Sequence, residues 1–207
     1  MAENFINIDR KIISECEKRY RIKLINSLAG IRQISLIGTK SKEGQENLAI
    51  FNSLIHLGSD PALFGLITRP SSVDRHTLTN ILEVGSYTVN FMHKSFAKQA
   101  HQTSARYPKE LSEFNAVNLT PEYRENGNVP FVMEAEIKIQ MKLESVLDIE
   151  INNTIMVIGS IEQIFLPAIR LSEDGLVKVE NLLLSGGLDA YYEPHFLQQF
   201  EYAKPNT

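Results

Sequence analysis

A chain of 207 residues with 43% hydrophobic and 22% charged residues has ordinary globular composition, long enough for one well-buried core and too apolar for extended disorder. Its formal net charge of −4 argues against nucleic acid as a partner, because a phosphate-tracking surface shows as a basic excess; a local pocket for one phosphate stays open. Cys16 is the single cysteine, so no intrachain disulfide forms. The start MAENFINIDRKIIS lacks a long apolar h-region, and no apolar run approaches the ~20 residues that cross a bilayer. The expected location is the cytoplasm, with no membrane and no nucleic acid among the partners.

From Arg10 to Ala29 the apolar residues Ile13, Cys16, Tyr20, Leu24 and Leu28 recur at helical spacing. Lys18, Arg19, Arg21 and Lys23 fill the opposite face, and Gly30 stops the run. This predicts an amphipathic helix that packs on something larger. Ile34 and Leu36 alternate with polar residues up to Gly38, a strand signature, and Lys40 to Gly44 reads as a polar turn. A second strand is predicted from Asn47 to Leu57, and Asp60-Pro61 breaks the pattern before a third from Leu63 to Thr68. Leu78, Ile81 and Leu82 share one face of a predicted helix from Val73 to Val84, with Gly85 where a C′ glycine belongs.

Tyr87 to Phe91 reads as a strand and Ser95 to Ala105 as a helix, followed by loop-like sequence from Arg106 to Asn128. From Glu134 to Glu144, Ala135, Ile137, Ile139, Met141 and Leu143 alternate with Glu and Lys or Gln, predicting a long antiparallel strand with one wet face. Asn152-Asn153 supplies a turn, and Ile155 to Phe165 returns as the partner strand. Six or seven strands with intervening helices fit a β-barrel with helical insertions. No composition shift marks a boundary, so one domain is expected over residues 1–207, with a helix at about 10–29 and an extension after about 167.

No Gly-rich dinucleotide fingerprint, P-loop, nucleophile elbow or metal-ligand cluster is present in the sequence. The stretch Arg69-Pro70-Ser71-Ser72-Val73-Asp74-Arg75-His76-Thr77 gathers two arginines and hydroxyl residues around a predicted helix start. Exposed amides and the helix dipole make such a terminus an anion site, to which Arg75 and Thr77 add donors. A capped surface helix with solvated charges, Asp74 serving as cap, accounts for the same residues. In Asn47 to Ser53 the small Ala49 and Ser53 would let a flat ring approach the backbone, while Asn47 and Asn52 offer polar groups. A buried strand with a polar edge explains these equally well.

Taken in order, these segments resemble the flavin reductase-like FMN-binding family. The matching thread runs through Arg32 to Thr39, Gly44-Gln45-Glu46-Asn47-Leu48-Ala49-Ile50-Phe51-Asn52-Ser53, Ser59-Asp60-Pro61, Arg75-His76-Thr77-Leu78-Thr79-Asn80-Ile81 and Gly85 to Asn90. Echoes follow at Glu113-Phe114, Val157 to Ser160 and Gly186-Gly187. The resemblance implies a mainly β fold, a six-stranded antiparallel split β-barrel with peripheral helices, which dimerises and binds FMN near the subunit interface. It implies that Asn47, Leu48, Ala49 and Ile50 border the isoalloxazine ring and that Ser53 lies toward the ribityl-phosphate side. Arg69, Ser71, Arg75, His76 and Thr77 would hold the phosphate. Gln33 and His76 depart from the family pattern, where proline and an acidic residue are usual.

The activity so implied is an NAD(P)H-dependent flavin reductase, using NADH or NADPH as donor and passing electrons to a partner monooxygenase or other acceptor. Backbone amides near Ala49 to Phe51 are the expected stabilisers of charge on the reduced ring, and no side chain is assigned a catalytic role. Two alternatives stand beside it: an FMN-binding electron carrier or sensor without efficient turnover, and a barrel that has lost its flavin pocket.

Overall fold

The computed structural model describes residues 5–69, 76–125 and 127–205. Seven strands form one antiparallel sheet: β1 (Ser35–Lys40), β2 (Glu46–Phe51), β3 (Leu54–Ser59), β4 (Ala62–Thr68), β5 (Ser86–Phe91), β6 (Lys138–Ile149) and β7 (Thr154–Phe165). Their order across the sheet is β2-β1-β5-β6-β7-β4-β3. The two edge strands are therefore neighbours in sequence, joined only by Asn52 and Ser53. Two residues reach roughly 7 Å, so the sheet must roll until its edges meet at that corner. The result is a barrel split along β2 and β3. The expected single strand from Asn47 to Leu57 is thus two, and the count is seven rather than six. The corner is tied down on both sides: Ser53 Oγ donates to the Ile67 carbonyl at 2.8 Å, and Asn52 Nδ2 donates to the Gly187 carbonyl at 2.6 Å.

Alternation along β1 divides the apolar residues between two cores. Ile37 faces the barrel interior with Leu66, Tyr87, Val89, Ile139, Met141 and Val157, and Leu78 and Ile81 of helix α3 (His76–Val84) close that core. Leu36 and Leu48 face outward, under Phe96, Phe114, Val117 and Leu183. The outer cover comes from helices α4 (Ala97–Gln102) and α5 (Glu113–Val117); the latter lies inside the stretch that reads as loop from its sequence. A C-terminal hairpin, Leu184–Gly186 with Ala190–Tyr192, pairs with Arg32–Gln33 beside it.

The amino-terminal run is broken in two, α1 (Arg10–Glu15) and α2 (Lys18–Leu28). Glu17 accepts from the Tyr20 amide at 2.9 Å and starts a new helix, while Cys16 adopts extended backbone. Neither helix has a fully buried residue, and Tyr20 and Leu28 are exposed; Arg21 donates across the break to the carbonyls of Ser14 and Cys16. The strand read from Glu134 begins instead at Lys138, because a turn from Val132 to Ala135 already sinks Ala135 and Ile137 into the core.

Lys138 also departs from the wet face that its alternation suggests. It is 5% exposed, and its ammonium donates to Glu122 and, at 3.1 Å, to the Met133 carbonyl. Arg124 binds the same Glu122 at 2.7 Å and lies over the Phe165 ring. Buried charge is tolerated only when paired and hydrogen-bonded, and Glu122, on a two-residue strand paired with Phe131–Val132, provides that pairing.

Glu122→Ala should destabilise the protein by about 3 kcal/mol in urea unfolding, because Lys138 is then left charged without its carboxylate. A second test is Gly38→Ala. A Cβ at Gly38 would stand 2.2 Å from the Pro130 carbonyl oxygen and 2.5 Å from Thr88 Oγ1. Backbone must move to admit it, at a cost of roughly 2–3 kcal/mol in the same assay.

Candidate functional site

The open edge of β2 meets the amino-terminal turn of α3 through four buried polar side chains. Asn47 Nδ2 donates to Thr77 Oγ1 at 3.0 Å and to Thr39 Oγ1 at 3.3 Å, and Asn80 Nδ2 donates to the same Thr39 oxygen at 3.1 Å. All four residues are at most 6% exposed. Thr39 faces inward because it follows Ile37 by two on β1, and Thr77 and Asn80 share the buried face of α3. The cluster locks strand to helix. A hydroxyl that accepts from Asn47 still carries one O–H donor, so Thr77 keeps a donor at the helix start.

The register of β2 against β1 decides which amides face the open edge. Leu48 N–H points away from β1, to Glu113 Oε2 at 2.9 Å. In an antiparallel pair successive residues alternate in direction, so Asn47, Ala49 and Phe51 bond to β1 while Leu48 and Ile50 face outward. The expected donors between Ala49 and Phe51 therefore reduce to Ile50.

The sequence-predicted residues fall into two groups. Asn47, Leu48, His76 and Thr77 gather where β2 meets α3. Ser53 stands at the corner, opposite Ile67, which precedes the exposed Arg69 by two residues. The length of β2 separates the groups, roughly 13 Å from Asn47 to Phe51 at 3.3 Å per residue. Ala49 and Ile50 lie half-buried between them. Ser71 and Arg75 lie outside the described residues.

Glu113, Thr39 and Asn80 carry the site's geometry without having been singled out as site residues. For Thr39 and Asn80 the signal is a polar side chain at a position whose neighbours i±2 or i+1 face the core. Glu113 gives no such signal, since an acidic residue in a first helical turn is ordinarily solvated. Here it is 7% exposed and lines a small recess with Ser41, Gln45, Asn47, His76 and Lys109. Burial pushes its carboxyl above the ordinary value of 4.5, opposed by the Leu48 amide and by His76.

Residues 31–183 match the model of the flavin reductase like domain. The chain belongs to the flavin reductase-like family. A split-barrel-domain protein of Shewanella frigidimarina NCIMB 400, assigned as a flavin reductase, is 40% identical with a TM-score of 0.93, covering 96% of this chain and all 100% of that one. Nitrilotriacetate monooxygenase component B of Bacillus cereus shares the fold at 22% identity and a TM-score of 0.81, over 97% of this chain and 100% of its own. An FMN-binding protein of Thermus thermophilus does so at 19% and 0.69, over 83% and 91%. The flavin reductase-like fold is thus a split barrel, and membership places the protein among flavin-related oxidoreductases.

Glu113 predicts a pH dependence of stability. Its folded pKa lies above the unfolded value, so the folded state binds this proton more tightly, and its contribution to stability falls as pH rises from 4.5 through the raised value. Glu113→Gln does not ionise. Denaturant titrations at a series of pH values should show the wild type losing stability relative to Glu113→Gln across that window, with a constant difference above it.

Proposed function

We propose that this protein binds FMN and works as an NAD(P)H-dependent flavin reductase, a single domain assembled as a homodimer. The observation that carries this reading is the buried Asn47–Thr77 contact, which joins the ring-bordering strand to a helix start suited to phosphate. The residues present fit the cofactor. Among the described residues Ile50 N–H has no acceptor; it is an edge donor beside the small Ala49, where a flat ring can approach. The first-turn amides of α3, the Thr77 hydroxyl and His76 would meet a phosphate, with the dipole of a nine-residue helix behind them. Ser71 and Arg75, shortly before His76 in the sequence, would complete that cradle, while Arg69 stands with Ser53 at the other end of β2. Ser53, held at the corner, would border the same groove from its far end.

FMN supplies the hydride chemistry when bound. The chain's own work is to place and orient. Asn47 is held by two hydrogen bonds and keeps β2 in register, so Ile50 N–H stays aimed along the open edge without reorganisation. Leu48 and Leu36 seal the outer side of the strand against water. No acid or base is required of the side chains here. NADH or NADPH would stack from the open side of the groove, and an acceptor such as a monooxygenase would take the electrons onward.

Support for a second copy comes from large apolar side chains left exposed on the far half of the barrel, among them Ile55, Leu57, Val146, Leu147 and Ile151. Among the described residues no helix is long and apolar enough to cross a membrane. A cytoplasmic setting agrees with the unpaired Cys16.

The purified protein, mixed with FMN and desalted, should retain a flavin spectrum that bleaches on anaerobic addition of NADH or NADPH. Retained flavin that stays oxidised would replace the reductase with an electron carrier or sensor; no retention and no saturable titration would remove FMN altogether. Thr77→Val should weaken FMN binding about tenfold or more, the cost of one hydrogen bond to a charged group, and an unchanged dissociation constant would refute the phosphate assignment.

A further inference from the structure

Glu113 is a buried acid that neither the sheet nor the phosphate cradle explains. It stands in the first turn of α5, 65 residues along the chain from Leu48, yet its Oε2 receives the Leu48 amide at 2.9 Å. Phe114 and Val117, on the same short helix, pack into the outer core beside Leu48. The carboxyl group is therefore held in place by the apolar contacts of its own helix.

The consequence lies in how many donors β2 shows to a ligand. By pairing parity three amides of β2, those of Glu46, Leu48 and Ile50, turn toward the open edge, and Leu48 and Ile50 are neighbours there. Without Glu113 a planar ligand rich in carbonyl and imine acceptors would meet both, spaced one strand repeat apart, and could seat itself in more than one register. With Glu113 in place the Leu48 amide is taken. Ile50 N–H remains as the one outward donor between Leu48 and the Asn52-Ser53 corner. An edge strand is also the least restrained strand of a sheet, since half of its backbone groups lack a sheet partner. The Glu113 bond pins β2 at its centre from the side that has no neighbouring strand.

We propose that Glu113 is a positioning residue for the flavin ring: by holding the Leu48 amide it fixes the edge strand and directs the ring to Ile50 N–H. This rests on the FMN reading above. The side chain touches strand backbone rather than ligand, and its action is through Leu48. His76 of α3 and Lys109 of the loop before α5 line the same recess.

The test uses the full chain, titrated with FMN, as wild type, Glu113→Gln, Glu113→Asp and Glu113→Ala. Gln keeps an acceptor oxygen at the same reach, so FMN should bind within about threefold of wild type, with the same visible spectrum. Asp keeps the charge but withdraws it by one methylene, and Ala removes the acceptor. Both should raise the dissociation constant about tenfold, the loss of one hydrogen bond to a charged group. In both, the resolved bands of the bound flavin should blur toward those of free FMN, a change that lowered stability alone would not cause.

Ala or Asp binding FMN as wild type does, with the same spectrum, would overturn the proposal, as would a Gln variant as weak as Ala. If far-UV circular dichroism shows that Ala does not fold, the comparison of Gln with Asp decides. Wild type that fails to bind FMN would remove the flavin reading itself, and this proposal with it; tight wild-type binding indifferent to residue 113 would remove this proposal alone.

Discussion

Two residues, Asn52 and Ser53, impose the constraint on which the rest of the molecule depends. They connect the first and last strands in the order of the sheet, so the sheet has no flat solution. It curls, and in curling it creates an inside, an outside and a seam. The interior needs a plug at its open end, which α3 supplies with Leu78 and Ile81. The outer face of β1 and β2 would be bare hydrocarbon without the cover of α4, α5 and the C-terminal hairpin. The corner itself is stapled by side-chain bonds to Ile67 and Gly187, two parts of the chain remote in sequence.

The seam explains why the candidate site lies where it does. A strand inside a sheet uses all its backbone groups, whereas β2 has one side free, and that free side is where a planar ligand can hydrogen-bond to backbone. Such an edge is a liability as well as an opportunity, because unpaired amides invite slippage and association. Three contacts restrain this one. Asn47 ties it to Thr39 and Thr77 from within, Glu113 caps Leu48 from without, and Asn52 anchors its end. Rigidity in the strand and openness at Ile50 are two results of the same set of bonds.

Charge is handled by the same economy of pairing. Lys138 lies beneath residues 122–124 with Glu122 as counter-ion, and Arg170 is held against Glu136 and the carbonyls of Lys178 and Glu180. These pairs join the start of β6 to segments far away in sequence, giving direction to parts of the chain that have little regular structure. Glu113 is different: among the described residues no cation is in direct contact with it, and its burial pushes the carboxyl upward.

Much of the fold was legible in local pattern. The alternation through β6, the turn at Asn152-Asn153, the helical spacing of Leu78 and Ile81, and the glycines at 30, 44 and 85, all with positive φ, are short-range signals with short-range causes. The resemblance of the ordered motifs extended that reading to a split barrel, and the family match agrees with it. Asn47 was readable as a candidate because it offers polar groups beside the small Ala49, and Thr77 because it adds a hydroxyl at a predicted helix start. What local pattern missed has one physical character: contacts between residues distant in sequence. The break at Asn52-Ser53 looks like continuous strand until the two edges are known to meet. Lys138 looks solvated until Glu122 folds over it. The burial of Glu113 depends on 65 residues of intervening chain bringing α5 against β2, and the choice of Ile50 as the open donor depends on pairing parity. Apart from α5, the corner at Asn52-Ser53 and the break in the amino-terminal helix, sequence by itself determined which segments become strand or helix and the family they resemble, since propensity and periodicity act over a few residues. Only tertiary structure decided which charges are buried and which backbone donors stay free, because burial and pairing are properties of neighbours in space.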